Sequence, residues 1–196
     1  MTRRTLTVGL ICLVVTALAG AGCGGEENDE NAPASPPASA SAPFDRAFID
    51  AMVPHHREAI AMAREAKKAG LSQPELVELA DDIILTQQLE IDDMLQWREE
   101  WFGSRKLDPS SAASLGLDED AMGMQHDAGA IAAADDVDGA FAAGMIPHHE
   151  GAIEMAELAE DEGEHAEIRE LAEAIVEGQG KEIEVLRPHA GGQHGG

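Results

Sequence analysis

The chain has few aromatic, cysteine and basic residues, and each shortage excludes a type of core, of metal site or of partner. Aromatic residues make up 3% of its 196 positions, and tyrosine is absent. The core must then be built from Ala, Leu, Ile, Val and Met, which favours helices packed through small side chains. The 13 basic residues stand against 38 acidic ones, for a net charge of −25. Nucleic acid is therefore not an expected partner, because binding it requires Lys and Arg to neutralise phosphates.

The first 22 residues are typical of an export signal. A basic pair is followed by an apolar run over residues 6–21 and then by a polar stretch, which is the three-part pattern of a signal peptide. The run ends in small residues before Cys23 and resembles the lipobox of bacterial lipoproteins, whose cysteine is lipidated. The resemblance implies a membrane-anchored protein on the extracytoplasmic side. Cleavage without lipidation, giving a secreted protein, is the alternative.

The rest of the chain divides by composition. Residues 23–43 are rich in Glu, Asp, Pro, Ala and Ser without an apolar period, which predicts a disordered tether behind the lipidated Cys23. We expect the folded part over residues 44–188 and a flexible tail over residues 189–196. Both cysteines precede the folded part, so a metal site there must use His, Met, Asp, Glu or Gln.

An internal repeat organises the folded part. Residues 45–66 and 138–159 are identical at twelve of 22 positions, and each copy contains Met-x-Pro-His-His. A weaker echo follows each copy, so the repeating unit is a pair of segments, over about 44–102 and 138–188. Apolar residues recur at steps of three and four in these segments, which predicts helices.

Local signals define the predicted helices and their connections. Ser72 and Glu75 have the spacing of a capping box, with Pro74 in the first turn of the second helix. Residues 103–137 form a crossover without a long helix, a connection that ferritin-like bundles use. The sequence predicts an all-α, ferritin-like four-helix bundle built from two repeated helical hairpins with this long crossover.

The hairpin register places histidines opposite glutamates. Pairing the first two helices about a turn near residue 71.5 sets His55 opposite position 88, between Gln87 and Glu90. The same arithmetic sets the second histidine pair opposite the segment that ends at Glu182. Because a buried Glu is costly unless it is paired or coordinated, the four histidines and two glutamates predict a shared centre. A buried polar layer that fixes helix register is the alternative.

In each copy of the motif, Phe precedes Met-x-Pro-His-His and Ala-Ile-x-Met-Ala follows it. This doubled pattern resembles the bacterial domain-of-unknown-function family 305, and the resemblance covers about residues 44–186. The resemblance implies an extracytoplasmic ferritin-like bundle, and some relatives are periplasmic copper-binding proteins linked to copper resistance. The metal ligands that it implies are Met52, His55, His56, Met145, His148 and His149. The supporting candidates are Met62, Met155, Glu90 and Glu182.

The residue types favour copper independently of this resemblance. Met52 precedes His55 and His56 by three and four residues, so thioether and imidazole share a helix face. Thioether suits Cu(I), and imidazole also accepts Cu(II). Binding is expected to weaken as the pH falls through the histidine range. Alone, Met62 and Met155 favour core filling over ligation.

A second soft cluster lies in the crossover. It consists of Met122, Met124 and His126, for which a ligand role and an ordinary loop are equally compatible. A mobile loop with these side chains is suited to capturing copper.

Three functions follow, in descending order. The first is copper buffering, tolerance or transfer, with a copper-delivery protein as a possible partner; another divalent metal is the alternative ion. The second is a di-metal oxidase or hydrolase, disfavoured because the first and third helices lack the inward Glu of a di-iron centre. The third is a structural or partner-binding bundle with a buried His/Glu layer. Binding is expected over catalysis, and the sequence predicts no oligomeric state.

Overall fold

The computed structural model describes residues 43–118, 121–123 and 128–191, and these residues contain helices and no strand. The four long helices are α1 (Phe44–Ala69), α2 (Pro74–Phe102), α5 (Val137–Glu162) and α6 (Ala166–Leu186). The crossover contains α3 (Pro109–Ala112), a 3₁₀ turn (Ala113–Leu115) and α4 (Ala128–Ala132). None of the described helices is both long and apolar enough to cross a bilayer.

The long helices form two hairpins. Helix α1 packs on α2, α5 packs on α6, and α1 lies against α5. Helix α1 ends at Gly70, whose φ of 109° is the left-handed conformation that closes many helices. Helices α1 and α5 both continue through their internal prolines, Pro54 and Pro147. The all-α class and the two hairpins with a crossover are as predicted.

The turn between α1 and α2 is anchored by a residue of the other hairpin. Buried Asp138, in the first turn of α5, accepts hydrogen bonds from Ser72 N at 2.8 Å, Ser72 Oγ at 2.6 Å and Gln73 N at 3.2 Å. Helix α2 begins after Gln73 with no side-chain cap. The predicted capping box is therefore wrong, because the Ser72 hydroxyl donates to Asp138; Pro74 does occupy the first turn, as expected.

The turn before α6 is anchored in the same way. Asp45, the repeat equivalent of Asp138, is fully buried and accepts hydrogen bonds from Glu164 N at 2.8 Å and His165 N at 2.9 Å. In each hairpin, an aspartate near the start of the first helix therefore binds the loop that connects the two helices of the other hairpin. This exchange makes α1 and α5 antiparallel and relates the two repeats by an approximate two-fold axis.

The crossover backbone lies directly on α5. A Cβ added to Gly151 would lie 2.2 Å from the Met122 carbonyl oxygen, and one added to Gly123 would lie 2.3 Å from the Pro147 carbonyl oxygen. Gly123 also has a φ of 67°. Only glycine at both positions permits this close approach.

Candidate metal centre

Helices α1 and α5 bring four histidines together at their contact. His55 is 1% exposed, and His56, His148 and His149 are fully buried. The ring centroids of His55 and His148 lie 3.8 Å apart across the two helices. Neighbouring rings within each helix are 6.4 Å apart, tilted by 57° in α1 and 60° in α5. These four rings, in the order His56, His55, His148 and His149, form what we call the imidazole row.

A glutamate lies at each end of the imidazole row. His56 Nε2 is 2.7 Å from Glu90 Oε2, in a hydrogen bond. His149 Nε2 is 2.6 Å from Glu182 Oε2, but the ring is not oriented for a hydrogen bond, so this is a close polar contact. The glutamate side chains are 16% and 21% exposed, so each carboxylate connects solvent with a buried ring. The predicted pairing of histidines with α2 and α6 glutamates is observed in both hairpins.

The crossover supplies a contact that the sequence did not reveal. The Nε2 of His55 donates a hydrogen bond to the Met122 carbonyl oxygen, at 2.8 Å. A signal for this contact exists at Gly151, a helical glycine where the first repeat has Glu58. Such an exchange marks a place where another backbone approaches the helix.

The hydrogen bonds determine which ring nitrogen is available. Donation from Nε2 places a proton on that nitrogen in His55 and His56, so that in the neutral ring Nδ1 carries the lone pair. Neither of these buried Nδ1 atoms has a hydrogen-bond partner among the described residues. An imidazole held by an oxygen acceptor on one nitrogen, with the other nitrogen free, is the usual arrangement of a metal-ligating histidine.

Burial keeps His55 neutral. Loss of solvent, together with the neighbouring His56 and His149, lowers the pKa of His55 from 6.5 to about 3, and the bond to the Met122 carbonyl offsets only part of this shift. Protons therefore do not compete for His55 between pH 7 and pH 5. The expected weakening of metal binding over that range does not extend to this residue.

The methionines of the repeat are all buried. Met52, Met62, Met145 and Met155 are fully buried in the core. No three His, Cys, Asp or Glu side chains of the described residues converge as a ready-made ligand set. A site with three or more ligands therefore needs methionine sulfur or a rotation of the imidazoles, and the donor types present suit copper.

The second soft cluster is only partly described. Met122 packs at the edge of the core and lines an apolar groove of about 600 Å³ with Ala51 and Pro54, while its carbonyl faces His55. Met124, His126 and Cys23 lie outside the described residues.

Known structures resemble this chain over most of its folded part. CopM in its Cu(I)-bound form is 33% identical over 74% of this chain and 93% of that chain, with a TM-score of 0.62. CopM in its Cu(II)-bound form is 35% identical over 74% of this chain and 95% of that chain, with a TM-score of 0.63. A DUF305 protein from Streptomyces coelicolor is 24% identical over 75% of this chain and 91% of that chain, with a TM-score of 0.66, and shows the same fold.

No curated protein matches the chain. The family model described as a domain of unknown function, DUF305, matches residues 26–98 and 45–189. The second match alone covers both histidine motifs and, except for the first residue of α1, all four long helices. The chain belongs to the DUF305 family.

Proposed function

We propose that this protein binds copper outside the cytoplasm and buffers it or passes it on. The observation that carries the proposal is the imidazole row, in which four buried histidine rings lie at the contact between α1 and α5 and the rings of His55 and His148 are 3.8 Å apart. Resemblance to CopM, a protein solved with Cu(I) and with Cu(II), supports the choice of metal.

The ligands come from both helices of the central contact. His55, His56, His148 and His149 supply nitrogen, and Met52 and Met145 supply sulfur from one turn earlier. Glu90 and Glu182 hold the outer imidazoles in orientation. Because sulfur and nitrogen donors together accommodate both oxidation states, the centre is suited to keep copper through a change between Cu(II) and Cu(I).

Location and delivery form part of the proposal. The signal-like N-terminus with Cys23 supports a lipid anchor on the extracytoplasmic side of a membrane. The tether of residues 23–43 would hold the bundle within reach of a copper-delivery partner.

Metal retention tests the proposal. The purified chain is exposed to equimolar Cu, Zn, Fe and Mn, freed of loose metal by gel filtration, and its metal content is measured. The test variant carries His55→Gln, His56→Gln, His148→Gln and His149→Gln. His189→Gln is the control, since this residue lies after α6 and outside the row.

The outcomes separate three functions. Copper retained by the parent and by His189→Gln, and lost from the fourfold variant, is the expected result. Retention of two iron or manganese ions per chain would replace the proposal with a di-metal enzyme. Retention of no metal would leave the row as a polar layer that fixes helix register.

A further inference from the structure

Helices α2 and α6, which carry the two glutamates at the ends of the imidazole row, make few contacts with each other. An opening of about 50 Å³ lies between them, walled by Thr86 on α2 and by Ala174 and Gly178 on α6. A cavity of about 10–15 Å³ on this measure already holds one water, so the opening accommodates a small ion. Small residues on both walls keep it from being filled by side chains.

Two amide and two carboxylate side chains line this opening: Gln87 and Glu90 from α2, and Gln179 and Glu182 from α6. Gln87 is 2% exposed and Gln179 is 5% exposed, and their Oε1 atoms find no donor among the described residues. A buried amide oxygen without a partner is costly unless something satisfies it. A cation satisfies such an oxygen as well as a hydrogen-bond donor does.

The opposite side of the imidazole row is closed. The crossover backbone at Met122 and Gly123 lies against α5, and its carbonyl covers His55. Glu90 and Glu182, by contrast, are partly exposed and touch the outer rings of the row. Among the described residues, these carboxylates are therefore the groups that link solvent to the imidazoles.

We propose that Gln87, Glu90, Gln179 and Glu182 form a portal through which Cu(II) passes between helices α2 and α6 to the imidazole row. This inference rests on the proposed copper binding. The two amide oxygens and two carboxylates replace part of the ion's hydration shell. The carboxylates together carry the charge that offsets a divalent ion.

The chemistry of the portal selects the oxidation state. Oxygen donors suit Cu(II) better than Cu(I), which prefers sulfur. Exposed acidic residues on the same two helices raise the local concentration of cations; they are Asp82, Asp92 and Asp93 on α2 and Glu173 and Glu184 on α6. Each carboxylate also contacts an outer ring of the imidazole row, so an ion held by the portal lies next to that row.

A pair of glycines on α6 gives a matched test. Gly178 lines the portal and Gly180 does not, and a Cβ at either position meets no atom within 4 Å. Gly178→Leu narrows the portal, and Gly180→Leu is the control. Cu(II) chloride is mixed with the metal-free full chain, and quenching of Trp97 and Trp101, the chain's two tryptophans, is followed by stopped flow.

The expected result is that Gly178→Leu loads about tenfold more slowly or worse, because the ion must then wait for local opening of the helices. The final copper content of both variants, measured after gel filtration, is expected to equal that of the parent. A Gly178→Leu chain that loads as fast as Gly180→Leu would overturn the portal alone. A parent chain that retains no Cu(II) would overturn the proposed function and the portal with it.

Discussion

Lowering the pH from 7 to 5 is expected to destabilise the metal-free protein through His55. In the unfolded chain this histidine takes up a proton below pH 6.5, whereas the folded protein holds its pKa at about 3. Between these values the unfolded state binds more protons. The free energy of unfolding that depends on His55 is therefore greatest above pH 6.5 and decreases as the pH drops below 6.5. At 1.36 kcal/mol per pH unit below 6.5, the loss by pH 5 is about 2 kcal/mol.

Urea unfolding with chelator present, followed by circular dichroism, measures this loss. His55→Gln removes the titrating ring while leaving an amide that can donate to the Met122 carbonyl. The difference in unfolding free energy between the parent and His55→Gln is expected to change by about 2 kcal/mol from pH 7 to pH 5. Parallel pH dependences would refute the claim that His55 is buried in its neutral form.

Three further substitutions have expected outcomes. Glu90→Gln removes a carboxylate that orients an imidazole and is expected to lower copper affinity by about 10–100-fold in a chelator competition; unchanged affinity would exclude that role. Asp138→Ala removes three hydrogen bonds to a buried carboxylate and is expected to cost about 3 kcal/mol in urea unfolding, while a loss below about 1 kcal/mol would show that the turn is held otherwise. Gly151→Ala places a methyl group against the Met122 carbonyl and is expected to lower the free energy of unfolding by about 2 kcal/mol. The control, Gly180→Ala, is expected to stabilise α6 by up to about 1 kcal/mol. Equal effects of the two substitutions in urea unfolding would contradict the close approach of the crossover.

Contacts within one hairpin could be predicted from the sequence. A short turn fixes the register of two antiparallel helices, so counting residues predicts that each histidine pair lies opposite the segment that ends in Glu90 or Glu182. The helix patterns likewise predicted the two hairpins, because their apolar residues recur with the helical period.

Contacts between hairpins could not be predicted in this way. The approach of His55 to His148 depends on how α1 docks on α5, which no local register determines. The contact of His55 with Met122 depends on the path of a crossover with little regular structure. The local cap predicted for Ser72 is wrong for the same reason, because its actual partner, Asp138, lies 66 positions away on the other hairpin.

X-ray absorption at the copper edge of the loaded chain tests the central claim most directly, because it reports the atoms bound to the metal. The account predicts imidazole scattering with a sulfur contribution in the parent, and a weaker imidazole signal when His55 and His148 are both replaced by Gln, because His56 and His149 remain. A copper shell of oxygen without imidazole, or a spectrum unchanged by the double substitution, would contradict copper binding by the imidazole row.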